Sequence, residues 1–581
     1  MTPDRRPPIE PSPRFTDGPP AFVPPPLATA RAAGTGASAP PPPPPAPPRP
    51  PRRAPASGAT PRAGRAALLA AAVALAFYIW GAAPTVLSGD SAELAAVAVS
   101  GGVPHPTGYP TFVLLGQVAA RVLPGDPAHR ITLMCACAGA ASVGLFALLL
   151  AELGIAWGAV LAGALFFAGT FTLWWSAIRA EVYAPAIMLA LFALWRVFVA
   201  RRTLAARDGL AAAFAIGLAM TGHLSFGPAM ALAGLALAVR ATRAGRLSFA
   251  LVVGALLMLA LGLTPYAYLM YADQHFTLTN YLHMTLEPAG RQFGLTPELL
   301  DTPLERLRFL VFGAESYPHD FTVHLRTGLV NMGVAWARLA TFEVGPLGIL
   351  LALVGEGALA HGDRGGARLL AAIALFTPLL GAALVDGALL QVFMMASVVA
   401  ISALAACGMA ALLERGGTRA TLAVALAIAA ILVPHELRVR ADQRPFGANW
   451  MRMEQEGAPH IRTFVPQLRH ERAARLRAER TLAAIPESSF VAAKWEVVMP
   501  MKYLQSAEGV RPDLVLDPWY EPAHVVRVAR WQQQYPLATH PVVVVDDLPG
   551  LIGRLVAPKQ LTLADGTTLH IERRAVRTEL R

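Results

Sequence analysis

The chain has 581 residues, of which 55% are hydrophobic and 15% charged, with a mean hydropathy of +0.46 and a net charge of +11. So little charge over such a length excludes an ordinary soluble protein, and apolar runs of roughly 16–25 residues match the helix length that crosses a bilayer. The basic excess is nearly all arginine, spread over the tail, the short loops and the C-terminal region. That distribution fits topology signals and anionic headgroups, and nucleic acid is excluded as a partner.

The N-terminal tail, 1–64, contains PPPPPAPPRPPRR at 41–53. Proline at this density forms neither helix nor sheet, so a cytoplasmic tail of polyproline II character is expected, serving as a spacer. The apolar run behind it is too long and too far in for a cleavable signal peptide.

Spanning segments are expected at about 66–87, 108–123, 131–151, 155–174, 181–199, 208–225, 227–240, 248–270, 343–360, 369–386, 388–413 and 419–434. Arg52, Arg53, Arg62 and Arg65 precede the first, which puts the N-terminus in the cytoplasm. Arg201, Arg202, RATRAGR at 240–246, HGDRGGAR at 361–368 and ERGGTR at 414–419 are basic short loops of the same side. Five apolar segments lie between the tail and Arg201, an odd number, so one of them fails to cross. The shortest, 108–123, is the first suspect, and a broken pair within 131–174 the second. The loop at 271–342 and everything after 434 then fall outside. Cys135, Cys137 and Cys407 all lie in apolar helices, which indicates neither disulfides nor a thiolate metal site.

The composition changes at 435. An arginine-rich helical stretch, PQLRHERAARLRAERTLAAI (466–485), is followed by β-like runs at 489–495, 513–517, 540–547 and 568–573. Strands interleaved with helices predict a small extracytoplasmic α/β domain over 435–581.

Functional residues concentrate behind the first span, in SGDSAELAAVAVSGGVPHPTGYP (88–110). As structure, Asp90 reads as a helix cap with Glu93 reaching back as in a capping box, and Gly101-Gly102 as the stop. The same spacing puts both carboxylates on one helix face, at a depth where ionisable groups are costly and usually face a cavity. No metal-ligand spacing stands out: His435 and Glu436 are adjacent, and no H-x-x-x-H occurs on a helix.

An early D-x-x-E followed by H-P-x-G-Y-P resembles the first outer loop of the protein O-mannosyltransferase-like group of GT-C glycosyltransferases. IRAEVYAP (178–185), GLAMTGHLSFGPAMAL (217–232), LGLTPYAYLMYAD (261–273) and KYLQSAEGVRPDLVLD (502–517) resemble further segments of that family, in its order. Ala92 and Thr107 stand where the family usually has Gly and Pro, and His223 stands alone where paired histidines are common. The resemblance implies an α-helical polytopic membrane protein of GT-C type, with about 11–13 membrane helices over 65–434. It implies transfer of a mannose-like sugar from a polyprenyl-phosphate carrier to a hydroxyl of a protein or glycan, with inversion, at the outer face. Asp90 is then the base, with Glu93 orienting the acceptor or supporting Asp90. Arg179 and, second to it, His223 would hold the carrier phosphate. Glu181 is Arg179's alternative partner as an ion pair. Tyr109 and Tyr183 are candidates to stack on sugar, and His105 to bond sugar or phosphate. Arg291, with His275 and His283, is a secondary candidate for carrier or acceptor contact. A divalent cation is left open. The arginine- and alanine-heavy composition suggests a bacterial inner membrane. The competing readings are a lipid or glycan transporter, which needs mid-span charges and an internal repeat, and a non-catalytic assembly factor.

Overall fold

The computed structural model describes residues 61–276, 278–286, 301–312, 330–384 except 331, 335 and 338, then 390–430, 467–518 and 523–577. The proline-rich tail, Arg291, and His435 with Glu436 lie outside these residues.

The first long helix, α1 (Pro61–Gly81), is alanine- and leucine-rich and leaves Leu68, Leu69, Phe77 and Trp80 on its surface. At 1.5 Å per residue its 21 residues reach about 32 Å, enough for a hydrocarbon core of about 30 Å. Two short helices follow, α2 (Asp90–Ser100) and α3 (Pro110–Val122), and then α4 (Pro127–Glu152), α5 (Trp157–Ala168), α6 (Phe171–Ala177) and α7 (Tyr183–Thr203). The next are α8 (Ala206–Met220), α9 (Gly227–Arg243), α10 (Phe249–Gly262), α11 (Tyr266–His275) and α12 (Pro303–Phe312). Further along come α13 (Gly345–Gly362), α14 (Arg364–Leu384), α15 (Leu390–Arg415) and α16 (Thr418–Ala430).

Among the described residues, seven helices are long and apolar enough to cross a membrane, or eight if the bent pair α5–α6 is one span. The chain is therefore a multi-pass membrane protein. Two segments expected as spans form short helices instead: α3 has 13 residues and α8 has 15. Where α13 crosses α15 the backbones touch, and a Cβ on Gly355 or Gly408 would overlap the other helix's main chain. Small residues allow this close approach, as in other membrane bundles.

Contacts resolve the odd number of segments before Arg201. The end of α1 is tied to the start of the C-terminal region, where Leu468 N–H donates to Gly81 O at 2.7 Å. The start of α4 lies at that same end, where Arg475 bonds Asp126 at 3.1 Å. The far end of α4 pairs with the end of α7 through Glu152 and Arg202 at 2.7 Å. Both α2 and α3 thus begin and finish at one end of the bundle, and 108–123 is the segment that does not cross. The second suspect is also real as a shape: α5 and α6 bend by 69° at Gly169-Thr170. Buried Glu343 completes that break, accepting from Thr172 N at 3.1 Å and Thr172 Oγ1 at 2.6 Å. The loops that follow α7 and α13 share the opposite end, where Arg201 meets Asp363 at 3.5 Å and Arg196 meets Asp208 at 2.8 Å.

After 467 the chain forms α17 (Ala473–Ala484), β1 (Phe490–Ala493), α18 (Trp495–Glu508) and β2 (Val515–Pro518). Then come α19 (Ala523–Gln534), β3 (Val542–Val545), α20 (Pro549–Ile552), β4 (Lys559–Thr562) and β5 (Thr568–Glu572). The sheet order is β2-β1-β3-β5-β4, parallel across β2, β1 and β3 and antiparallel beyond. Each expected β-like run contains a strand. The edge strand β4, exposed throughout, was not expected. One apolar core joins this sheet to α2 and α3, with Leu94, Val97 and Phe112 in the same cluster as Val498, Leu504 and Val543. Tyr503 Oη accepts from Ala128 N at 2.9 Å across that seam.

Candidate active site

The helix cap differs from the sequence reading. Gly89 is the N-cap of α2, and neither Asp90 nor Glu93 makes a side-chain capping bond. Asp90 occupies the first helical position and is exposed, while Glu93 is 1% exposed. Glu93 turns instead toward the proline-rich turn. Its Oε1 accepts from His105 N at 2.8 Å and its Oε2 meets His105 Nδ1. A buried carboxylate needs such partners, and the turn supplies two of them. The helix does end as expected, with Gly101 N–H donating to Val97 O at 2.9 Å.

Gly102 follows with φ +141°, and a Cβ there would overlap Thr279 O. Only glycine lets the strand-like Val103 pair with Asn280, closed by Val103 N to Thr279 O at 3.0 Å and Tyr281 N to Val103 O at 2.8 Å. The segment around Thr279–Tyr281 is thereby fixed against the Asp90 loop. Asn280 is fully buried and donates to Asp273 Oδ1 at 2.8 Å, and Asp273 pairs with Arg306 at 2.6 Å.

Burial raises the Glu93 carboxyl, with His105 pulling the other way. For His105, burial opposes the charged ring, but the Glu93 and Asp90 carboxylates outweigh it and push the ring up to about 10. His223 is pushed down to about 3 by burial and then by His105, so it stays neutral.

Ring contacts gather four expected residues. Tyr109 stacks on His223 at 5.2 Å and meets His105 edge-on at 5.2 Å, while Tyr183 lies 5.5 Å from His223. Tyr109 Oη donates to Pro106 O at 2.6 Å, which fixes the turn. Arg179 is 5% exposed and donates to Glu181 Oε2 at 3.0 Å, so the ion-pair alternative is what this structure contains. Glu181 Oε1 also accepts from Val182 N at 2.9 Å. His275 is stacked on Tyr271 at 4.0 Å, and His283 sits beside Asp273 at 3.7 Å.

Two features escaped the sequence reading. Trp495, the first residue of α18, donates its indole N–H to Asp90 Oδ1 at 2.8 Å, across 405 residues. Tyr281 packs between the two regions, 5.9 Å from Trp495 and 6.3 Å from His105. The other is a metal-competent set: ligand atoms of Asp90, Glu93 and His105 all lie within 4.8 Å of one another. Two carboxylates and an imidazole suit a divalent cation, although no regular spacing announces them.

A multi-pass membrane protein with an acid–histidine loop behind its first long helix is thus defined by fold and site together. Residues 90–244, beginning at Asp90 itself, match the family model described as the protein O-mannosyl-transferase TMEM260 N-terminal domain, and the motif resemblance is borne out over that segment. The chain is 36% identical over 135 residues to protein O-mannosyl-transferase TMEM260 of Mus musculus, covering 22% of this chain and 19% of the relative. To the Dictyostelium discoideum protein of the same name it is 32% identical over 107 residues, covering 17% and 13%. The chain thus spans about a fifth or less of the length of the curated relatives it matches. Among solved structures, ArnT from Cupriavidus metallidurans bound to undecaprenyl phosphate aligns over 87% of this chain and 97% of that one, at 13% identity and a TM-score of 0.48.

Proposed function

We propose that the chain is a membrane-embedded inverting glycosyltransferase, moving a mannose-like sugar from a polyprenyl-phosphate carrier to a polypeptide hydroxyl on the outer face. The observation that carries this reading is the exposed Asp90 carboxylate set over buried Glu93 and its half-buried partner His105, at the bundle end opposite the loops of Arg201 and Asp363. The segment's match to an O-mannosyl-transferase domain supports it.

In this mechanism the acceptor hydroxyl oxygen attacks the anomeric carbon and Asp90 takes its proton. The carbon–oxygen bond to the carrier breaks and the phosphate leaves with the electron pair. Glu93 and His105 hold the loop in place and tune the charge facing Asp90. Arg179, shared with Glu181, is the guanidinium assigned to the leaving phosphate, with His223 beside the tyrosines that face the sugar. A divalent cation held by Asp90, Glu93 and His105 would add positive charge where the phosphate departs. In this reading the arginine distribution puts the N-terminus in the cytoplasm and the C-terminal domain outside, and the arginine- and alanine-heavy composition suggests a bacterial inner membrane.

The test is transfer from radiolabelled polyprenyl-phosphate mannose to a threonine peptide in membranes, comparing wild type and Asp90→Asn at equal protein level. Activity in the wild type and none in the variant is expected. Equal transfer by both removes Asp90 as the base, and transfer by neither removes this donor.

A further inference from the structure

A cavity of about 440 Å³ opens between the large outer loop and the C-terminal sheet, away from the Asp90 site. Leu278, His283 and Met284 form its loop wall, while β1, β2, α18 and α19 supply the rest. Its charge is lopsided. Lys502, Arg527 and Arg530 line it against the single carboxylate of Asp517. Asp517 is fully buried and already joined to Arg527, and Arg527 also donates to His283 O at 2.8 Å. Lys502 is 7% exposed, and its ammonium donates to Leu278 O at 3.2 Å. Among the described residues neither Lys502 nor Arg530 has an ion-pair partner. Burial pushes Lys502 down to about 8, with Asp517 pulling it back and Arg527 adding to the fall. An ammonium held this way gains from any anion that enters. Trp531 and Phe490 supply apolar wall.

Helix α18 joins this cavity to the candidate active site. Trp495 at its start bonds Asp90, and Lys502 lies seven residues further along, two turns or about 10 Å. None of the lining residues sits on a membrane-length helix, which disfavours a lipid headgroup as the occupant. The volume suits several residues of extended chain.

We propose that this cavity binds a carboxylate-bearing stretch of the polypeptide acceptor, holding it a few residues from the hydroxyl presented to Asp90. The assignment to an acceptor rests on the transferase reading, whereas the preference for acidic peptide does not. The discriminating experiment is fluorescence anisotropy on the full-length protein in detergent, with two labelled threonine peptides of equal length. One carries glutamates flanking the threonine, the other glutamines. The glutamate peptide should bind at least tenfold more tightly at low salt. Arg530→Glu, at an exposed position, should erase most of that preference. Lys502→Gln should reduce it independently.

Equal Kd values for the two peptides, or a preference surviving in the Arg530→Glu, Lys502→Gln double variant, overturn the proposal. An alkyl phosphate that binds more tightly than the glutamate peptide and loses its affinity in Arg530→Glu reassigns the cavity to a lipid phosphate, which also overturns it. If the preference holds but the same preparation transfers no sugar, the transferase reading fails and the acidic site stands. Transfer with no preference sinks the cavity alone.

Discussion

The Asp90 loop and the cavity behind Trp495 are built from opposite materials. The loop gathers acids against one histidine within a short stretch, with Glu93 and His105 only 12 residues apart. The cavity gathers cations against one acid, and its contacts run from Lys502 to Leu278 across 224 residues and from Arg527 to His283 across 244. A reaction that deprotonates a hydroxyl needs its carboxylates held rigidly, which local turns provide. A surface that selects an acceptor can be assembled late, from segments that meet only in the folded chain. In the proposed function the first region serves the chemistry and the second the selection of the acceptor.

The largest expected effect breaks the first region. Asp90→Asn keeps an oxygen for the Trp495 indole and removes the base, so transfer should fall about 10²–10⁴-fold with the melting temperature unchanged. Glu93→Ala should act on stability instead. It strips His105 of its ring and main-chain partners in a buried place, costing about 3–5 kcal/mol, read as a lowered melting temperature in detergent.

The third prediction sharpens the second region through pH. Lys502 titrates near 8 in the fold against an ordinary 10.5. Between those values the unfolded chain holds a proton that the folded chain has released, so stability rises with pH across that window, by about 3 kcal/mol in all. Denaturation midpoints followed over the window should show the rise in wild type and lose it in Lys502→Met. The smallest effect tests the link between the regions. Trp495→Phe keeps the ring against Tyr281 and removes only the donor to Asp90, so kcat should drop about tenfold with little change in stability. An unchanged kcat would separate the two regions functionally.

Much of the first region was legible because its signals are local. The D-x-x-E spacing, the glycine stop and the proline turn lie in one stretch, and the structure brings Asp90, Glu93 and His105 together. Even there the capping box was misread, because buried Glu93 finds His105 a better partner than its own helix end. The parity of the early segments was readable from arginines, and the short α3 answered it. Trp495 carried no signal, since nothing around KW at 494–495 points to a carboxylate 405 residues away. The ion pair between Arg179 and Glu181, two residues apart, was legible from their spacing and is present at 3.0 Å.

The bond between Trp495 and Asp90 also sets a schedule for the chain's synthesis. Asp90 leaves the ribosome 405 residues before its partner, roughly 20–80 s at about 5–20 residues per second. Throughout that interval the acidic loop is in place while the residue that bonds its outer carboxylate has not been made. A chain broken off anywhere before Trp495 therefore inserts its helices with that carboxylate uncovered, so completion of the site reports that translation passed residue 495.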